Sequence, residues 1–216
     1  MKHIICILIC TIVLCAETIS FASSTETTSL PKPKLDGGIP LYEALKKRAT
    51  GRAFSTKDIS DKQLSQILWA ATGVNCEKSQ KRTAPTAWGN NEITLYVLLK
   101  TGTYIYNPIK HNLVTISKKD NRALGGIQKF TKDAPVTIVM VADLDKISQT
   151  KDEAYKMAVS QMDAGFISQN IYLAAVSEGL ITGARAYTNK DKLRTALKLT
   201  KNQKIILANS LGYIKK

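Results

Sequence analysis

Leu64, Ile67, Leu68 and Ala71 fall on one face of DKQLSQILWAATG, a spacing that predicts a helix capped by Ser60 and stopped at Gly73. Leu41 and Leu45, four apart, predict a shorter helix over 39–49. Residues 74–92 carry no such period and read as one long loop. The run ITLYVLL (93–99) is continuously apolar, as a buried strand is, and TYIYNPIKHNLVTI (103–116) alternates about a polar turn as a hairpin does. PVTIVMVAD (135–143) is continuous and β-branched, the pattern of a central strand. One long helical pattern then extends from about Lys151 to Glu178 and ends at Gly179. Phe166, Ile167, Asn170, Ile171, Ala174 and Ala175 give it a broad apolar stripe. A helix of that length spans roughly 42 Å, so the stripe predicts packing against more than its own chain. ITGARAY (181–187), DKLRTAL and QKIILANSLGYI (203–214) follow as strand, short helix and strand. Helices and strands interspersed in this order make the fold α+β.

Two segments stand outside the pattern. Ile4–Ala16 is apolar but only thirteen residues long, short of the about 20 that span a bilayer. Lys2 precedes it and the small residues Ser20 and Ala22 follow, so residues 1–22 are expected to be a secretory signal rather than a stable membrane anchor. Export to a periplasm is the expectation, with full secretion as its alternative. Residues 23–38, SSTETTSLPKPKLDGG, are polar and turn-rich and are expected to be a flexible linker ahead of one domain over 39–216.

The signal would take Cys6, Cys10 and Cys15 with it, leaving Cys76 and His111 as the only cysteine and histidine of the mature chain. An intramolecular disulfide and a Cys/His zinc cluster are thereby excluded for it. A histidine-based nucleophile would depend on His111, which the hairpin turn predicts to be at the surface. Redox or transfer chemistry would therefore belong to a bound cofactor. The net charge is +14 and stays so when Lys2 and Glu17 leave together. Its lysines are scattered through every segment, which argues against specific nucleic-acid binding.

One basic stretch is more pointed. KKRATGRAFS (46–55) places Arg48 and Arg52 four apart, with Thr50 between them. On their own these residues read first as a solvated basic helix end. On one helix face, two guanidinium forks would also suit a phosphate.

Taken in order, KRATGRAF, WAATGVN, RTAPTAWGNN, TLYVLL…GTYIYNP, APVTIVMVAD, GFISQNIYLAAVSEGL and LANSLGY resemble the flavin-dependent nitroreductases. The resemblance covers about residues 39–214 and is strongest to the exported branch with an RTAPSA-like loop. It implies a central mixed or antiparallel sheet flanked by helices, and a homodimer joined by the long helix with FMN held between subunits. It also implies that Arg48, Ala49, Thr50 and Arg52 hold the FMN phosphate and ribityl chain. Pro85, Thr86, Ala87, Gly89 and Asn91 would lie along the flavin ring, and a main-chain N–H near Arg185 or Ala186 would meet N5. Gly89 stands where relatives carry Asn, so that side-chain bond is absent unless Asn90 or Asn91 replaces it. The Arg185 side chain would pair with the flavin's O2–N1 side, its plainer role being a surface ion pair, and Lys215 would add a phosphate contact. The implied activity is transfer of hydride or electrons through flavin N5 to a nitroaromatic, quinone or similar small molecule, with NAD(P)H or another donor. A non-catalytic exported flavin-binding protein is the alternative.

Overall fold

Burial on both faces is what places Val136–Asp143 at the centre, since seven of its eight residues are buried. The computed structural model describes residues 26–216, and the expected signal segment lies outside them. In chain order the strands are β1 (Thr27–Ser29), β2 (Val74–Cys76), β3 (Lys81–Arg82), β4 (Ile93–Leu99), β5 (Gly102–Asn107), β6 (Asn112–Ser117), β7 (Val136–Asp143), β8 (Ile181–Arg185) and β9 (Gln203–Gly212). The helices are α1 (Leu41–Lys47), α2 (Asp61–Thr72), α3 (Glu153–Ser177) and α4 (Lys190–Ala196). Seven strands form one antiparallel sheet in the order β1-β6-β5-β4-β7-β9-β8, while β2 and β3 pair separately. Among the described residues, only an isolated bridge, Thr50 to Thr182, runs parallel. The class is α+β.

Local chemistry fixes the helix ends. Ser60 and Gln63 form a reciprocal capping box for α2, and Asp152 accepts the Ala154 and Tyr155 N–H groups at the start of α3. α2 and α3 cover one face of the sheet, burying Leu64, Leu68, Ile167 and Ile171 against Leu95, Ile138 and Met140. On the other face Leu193 and Leu197 pack on Tyr96, Val139 and Val141. None of the described helices is long and apolar enough to cross a membrane.

Three expectations change. Residues 26–38 are not a free linker, because β1 pairs with β6 and the Pro31 carbonyl accepts from Ser65 Oγ at 2.5 Å. His111 does sit in the hairpin turn, with φ 48. Its ring, however, is half-buried between Tyr106 OH (2.8 Å) and Ser65 Oγ (2.7 Å), so it ties that strap down rather than facing solvent. The loop 74–92 contains β2, β3 and a helical turn at Ala87–Gly89.

Candidate functional site

α1 stops at Lys47 because Arg48 leaves the helical region, at φ −59 and ψ 118. The chain then crosses the outer edge of β8, where Thr50 bridges Thr182 and the Gly51 N–H donates to Thr182 O at 2.9 Å. Arg48 and Arg52 therefore do not share a helix face. Instead the two-residue alternation of extended chain sends Arg48 and Thr50 to one partner, Tyr172 of α3. The Arg48 guanidinium lies 5.3 Å from the centre of the Tyr172 ring, and Thr50 Oγ1 is 3.1 Å from its hydroxyl. That hydroxyl also accepts the Ala184 N–H at 2.9 Å, which leaves its own proton for Thr50. The crossing is tight: a Cβ on Gly183 would stand 2.6 Å from Gly51 O.

Residues 213–215 close the same corner. Phe54 bridges Ile214, and the Lys215 N–H donates to Ala53 O at 2.9 Å, which brings the backbone of Lys215 alongside the stretch that carries Arg52. Ala49, Arg52 and Lys215 are exposed, and Arg48 is half-buried. None of Arg48, Arg52 and Lys215 forms an ion pair among the described residues. The crossing and the chain end paired with it thus carry three cations with no carboxylate partner among the described residues.

Ala186, the first residue beyond β8, is exposed where the chain bends away from the strand. The Arg185 side chain behaves otherwise. It is buried, donates from Nε to Gly125 O (2.6 Å) and from Nη1 to Gly183 O (3.3 Å), and stacks near Phe130. Loss of hydration pushes its pKa down to about 10. It is no surface ion pair, and its bonded nitrogens anchor the strand end; Nη2 is buried with no partner among the described residues.

The 83–91 loop lies on the first half of α3. Thr86 Oγ1 donates to Glu92 Oε2 at 2.9 Å and accepts the Asn91 N–H at 3.1 Å, while the Ala87 N–H donates to Asp163 Oδ2 at 2.8 Å. Glu92 is wholly buried and Asp163 nearly so. Burial first, and the neighbouring Asp163 charge with it, hold the Glu92 carboxyl above the usual carboxylate range. Both loop amides are engaged within the protein: Asn90 pairs with Gln149, and Asn91 Nδ2 donates to Gly89 O at 2.9 Å. Gly89 has φ 74 with open space where a Cβ would be, so glycine serves the backbone there. Trp88 also has positive φ, 53, and is exposed, 6.0 Å from Tyr155 between ring centres. Pro85 is exposed on the same loop.

Tyr172, Asp163 and Glu92 were not singled out by the sequence patterns. Their signals were present: a tyrosine and an aspartate inside an apolar helix, and an acid opening an apolar strand. Each is a polar group that burial obliges to find a partner.

Comparison with known proteins agrees with this architecture. A provisionally named nitroreductase of Ralstonia eutropha superposes with a TM-score of 0.84 at 32% identity, over 90% of this chain and 92% of that one. A provisionally named nitroreductase of Methanocaldococcus jannaschii is 28% identical over 185 residues, 81% of this chain and 91% of its own length. The fold alone is shared with a chain of the E. coli microcin synthetase complex, at 16% identity and a TM-score of 0.68, covering 97% of this chain and 85% of that one. The family model described as the nitroreductase family matches residues 45–213, which take in the basic crossing, the 83–91 loop and the β8 edge. The chain therefore belongs to the nitroreductase family and is an oxidoreductase by that membership.

Proposed function

We propose that the protein is an FMN-dependent oxidoreductase whose flavin lies along the outer edge of β8. The observation that carries this reading is the meeting of Arg48 and Thr50 on Tyr172, with Arg52 on the same crossing and Lys215 on the chain end paired with it. The donor set fits the cofactor: uncompensated cations suit a dianionic phosphate, and Thr50 offers a hydroxyl to the ribityl chain. The main chain at Ala184–Ala186 would border the ring, with the Ala186 N–H as the candidate contact. Bound FMN supplies the hydride or electron transfer, to a nitroaromatic, quinone or similar oxidant. The protein's part is to bind and orient. Tyr172 ties the basic crossing to the strand edge, and the Thr86–Glu92 and Ala87–Asp163 bonds hold the loop that excludes water from the ring.

An apolar surface supports assembly as a homodimer. Leu41, Tyr42 and Leu45 of α1 and Met162 and Phe166 of α3 are all exposed large side chains, and α1 packs on α3. Export before assembly remains part of the proposal, on the strength of residues 1–22. The test is anaerobic. NADPH, or dithionite if nicotinamides are not the donor, should bleach the flavin absorbance of the loaded protein, and a nitroaromatic or quinone should restore it over many cycles. Flavin that binds and is reduced but is not reoxidised by any such acceptor would leave a carrier rather than an enzyme.

A further inference from the structure

Where β8 leaves the sheet, a cleft of about 310 Å³ opens between α3, α4 and the first residues of β9. Met157 and Ile206 supply apolar wall, Ala186 lies at its edge, and Lys190, Arg194 and Lys204 bring positive charge. No carboxylate lines it. Two of the cations are fixed by main-chain carbonyls instead: Arg194 donates to Gln203 O (2.7 Å) and Thr200 O (2.8 Å), and Lys204 Nζ donates to Lys201 O (2.9 Å). None of the three forms an ion pair among the described residues. Like charges held together without a counter-charge repel, and an anion entering the cleft would relieve that repulsion.

We propose that this cleft is the substrate slot and that it selects a planar compound of one or two rings bearing a carboxylate or similar anionic group. The proposal rests on the functional reading above, because Ala186 belongs both to the strand edge assigned to the flavin and to the cleft. The apolar wall takes the ring, and Lys190, Arg194 and Lys204 take the anion. A volume near the lower end of ligand pockets, about 300–1,000 Å³, suits such a molecule better than a dinucleotide. The anionic group could also arrive on the electron donor as a nucleotide phosphate, so the experiment separates the two sources.

The test measures binding by calorimetry in FMN-supplemented protein with no reductant present. 4-Nitrobenzoate is compared with the neutral 4-nitrobenzyl alcohol in wild type and in a Lys190→Gln/Lys204→Gln double variant. Arg194 is left intact because it holds two main-chain carbonyls. Wild type should prefer the benzoate by about tenfold, the scale of several partly exposed charge contacts, and added salt should shrink that margin. The double variant, which keeps Arg194, should lose most of that preference while its FMN affinity is unchanged. Equal affinities in wild type, or a preference undiminished in the double variant, would overturn the proposal. So would a double variant that loses NADPH affinity but keeps its benzoate preference, for the cations would then serve the donor. Should FMN fail to bind wild type, the functional reading falls. The benzoate preference, read in the same titration, still decides the anion site.

Discussion

Tyr172 is the residue on which the site turns, because one hydroxyl joins Thr50 to the Ala184 N–H while the ring supports Arg48. Tyr172→Phe keeps the ring and strips both bonds, leaving a half-buried N–H without its acceptor. Stability should fall by about 1–3 kcal/mol, read by urea unfolding, and FMN should bind more weakly because Thr50 loses its orientation. Unchanged unfolding and FMN titration curves would remove Tyr172 from the account. Glu92 makes a second prediction. Its carboxyl is raised by burial and by Asp163, with Thr86 as its hydrogen-bond donor. The folded state thus holds a proton that the unfolded chain releases at lower pH. The stabilisation is complete below the ordinary glutamate value and is lost as pH rises through the folded one. Glu92→Gln keeps a neutral side chain at every pH, so its stability should stay flat where wild type declines; parallel pH profiles would contradict this. At this scale the sequence was half legible. The arginines and threonine of 46–55 stood out in sequence, but their assumed helical pairing failed, because Arg48 ends α1 and turns the chain along β8. Tyr172, Asp163 and Glu92 matter through partners distant in sequence, and no local pattern states those.

Among the elements, the long periodic ones were legible: α2, α3, β4 and β7 each bury one face or both, and burial is what writes a period into sequence. β1 was not. Thr27, Thr28 and Ser29 are all exposed, so nothing alternates, and the strand exists through its ladder to β6 and the tether at Pro31. β2 and β3 are too short to show any period. The strap makes its own prediction. Ser65 Oγ and His111 both reach the Pro31 carbonyl, and Thr115 donates its N–H to Glu26 O at 2.9 Å. Ser65→Ala should therefore speed hydrogen exchange at Thr115 and cost about 1 kcal/mol of stability. Rapid exchange at Thr115 in wild type would return 26–38 to a free linker.

For the whole molecule, the exposed apolar side chains of α1 and α3 support the proposed homodimer. Light scattering should give a dimer at micromolar concentration, and Phe166→Glu, which sets a charge in that face, should give a monomer with weakened FMN binding. A wild-type monomer that holds FMN would contradict the assembly. The fold and family were legible at this scale because many weak motifs occurred in one order, whereas the corner joining Ala53 and Phe54 to Ile214 and Lys215 depends on chain crossings that no motif describes. The central claim is that the basic crossing holds a flavin by its phosphate, and one titration series tests it: FMN and riboflavin against wild type, Arg48→Ala and Arg52→Ala. Loss of a charge-assisted contact to a dianion costs about 1.5–3 kcal/mol, so FMN should bind either variant roughly 10- to 150-fold more weakly. Riboflavin, which lacks the phosphate, should bind all three proteins about equally. Equal FMN affinity in all three would contradict the account and leave residues 46–55 a solvated basic surface.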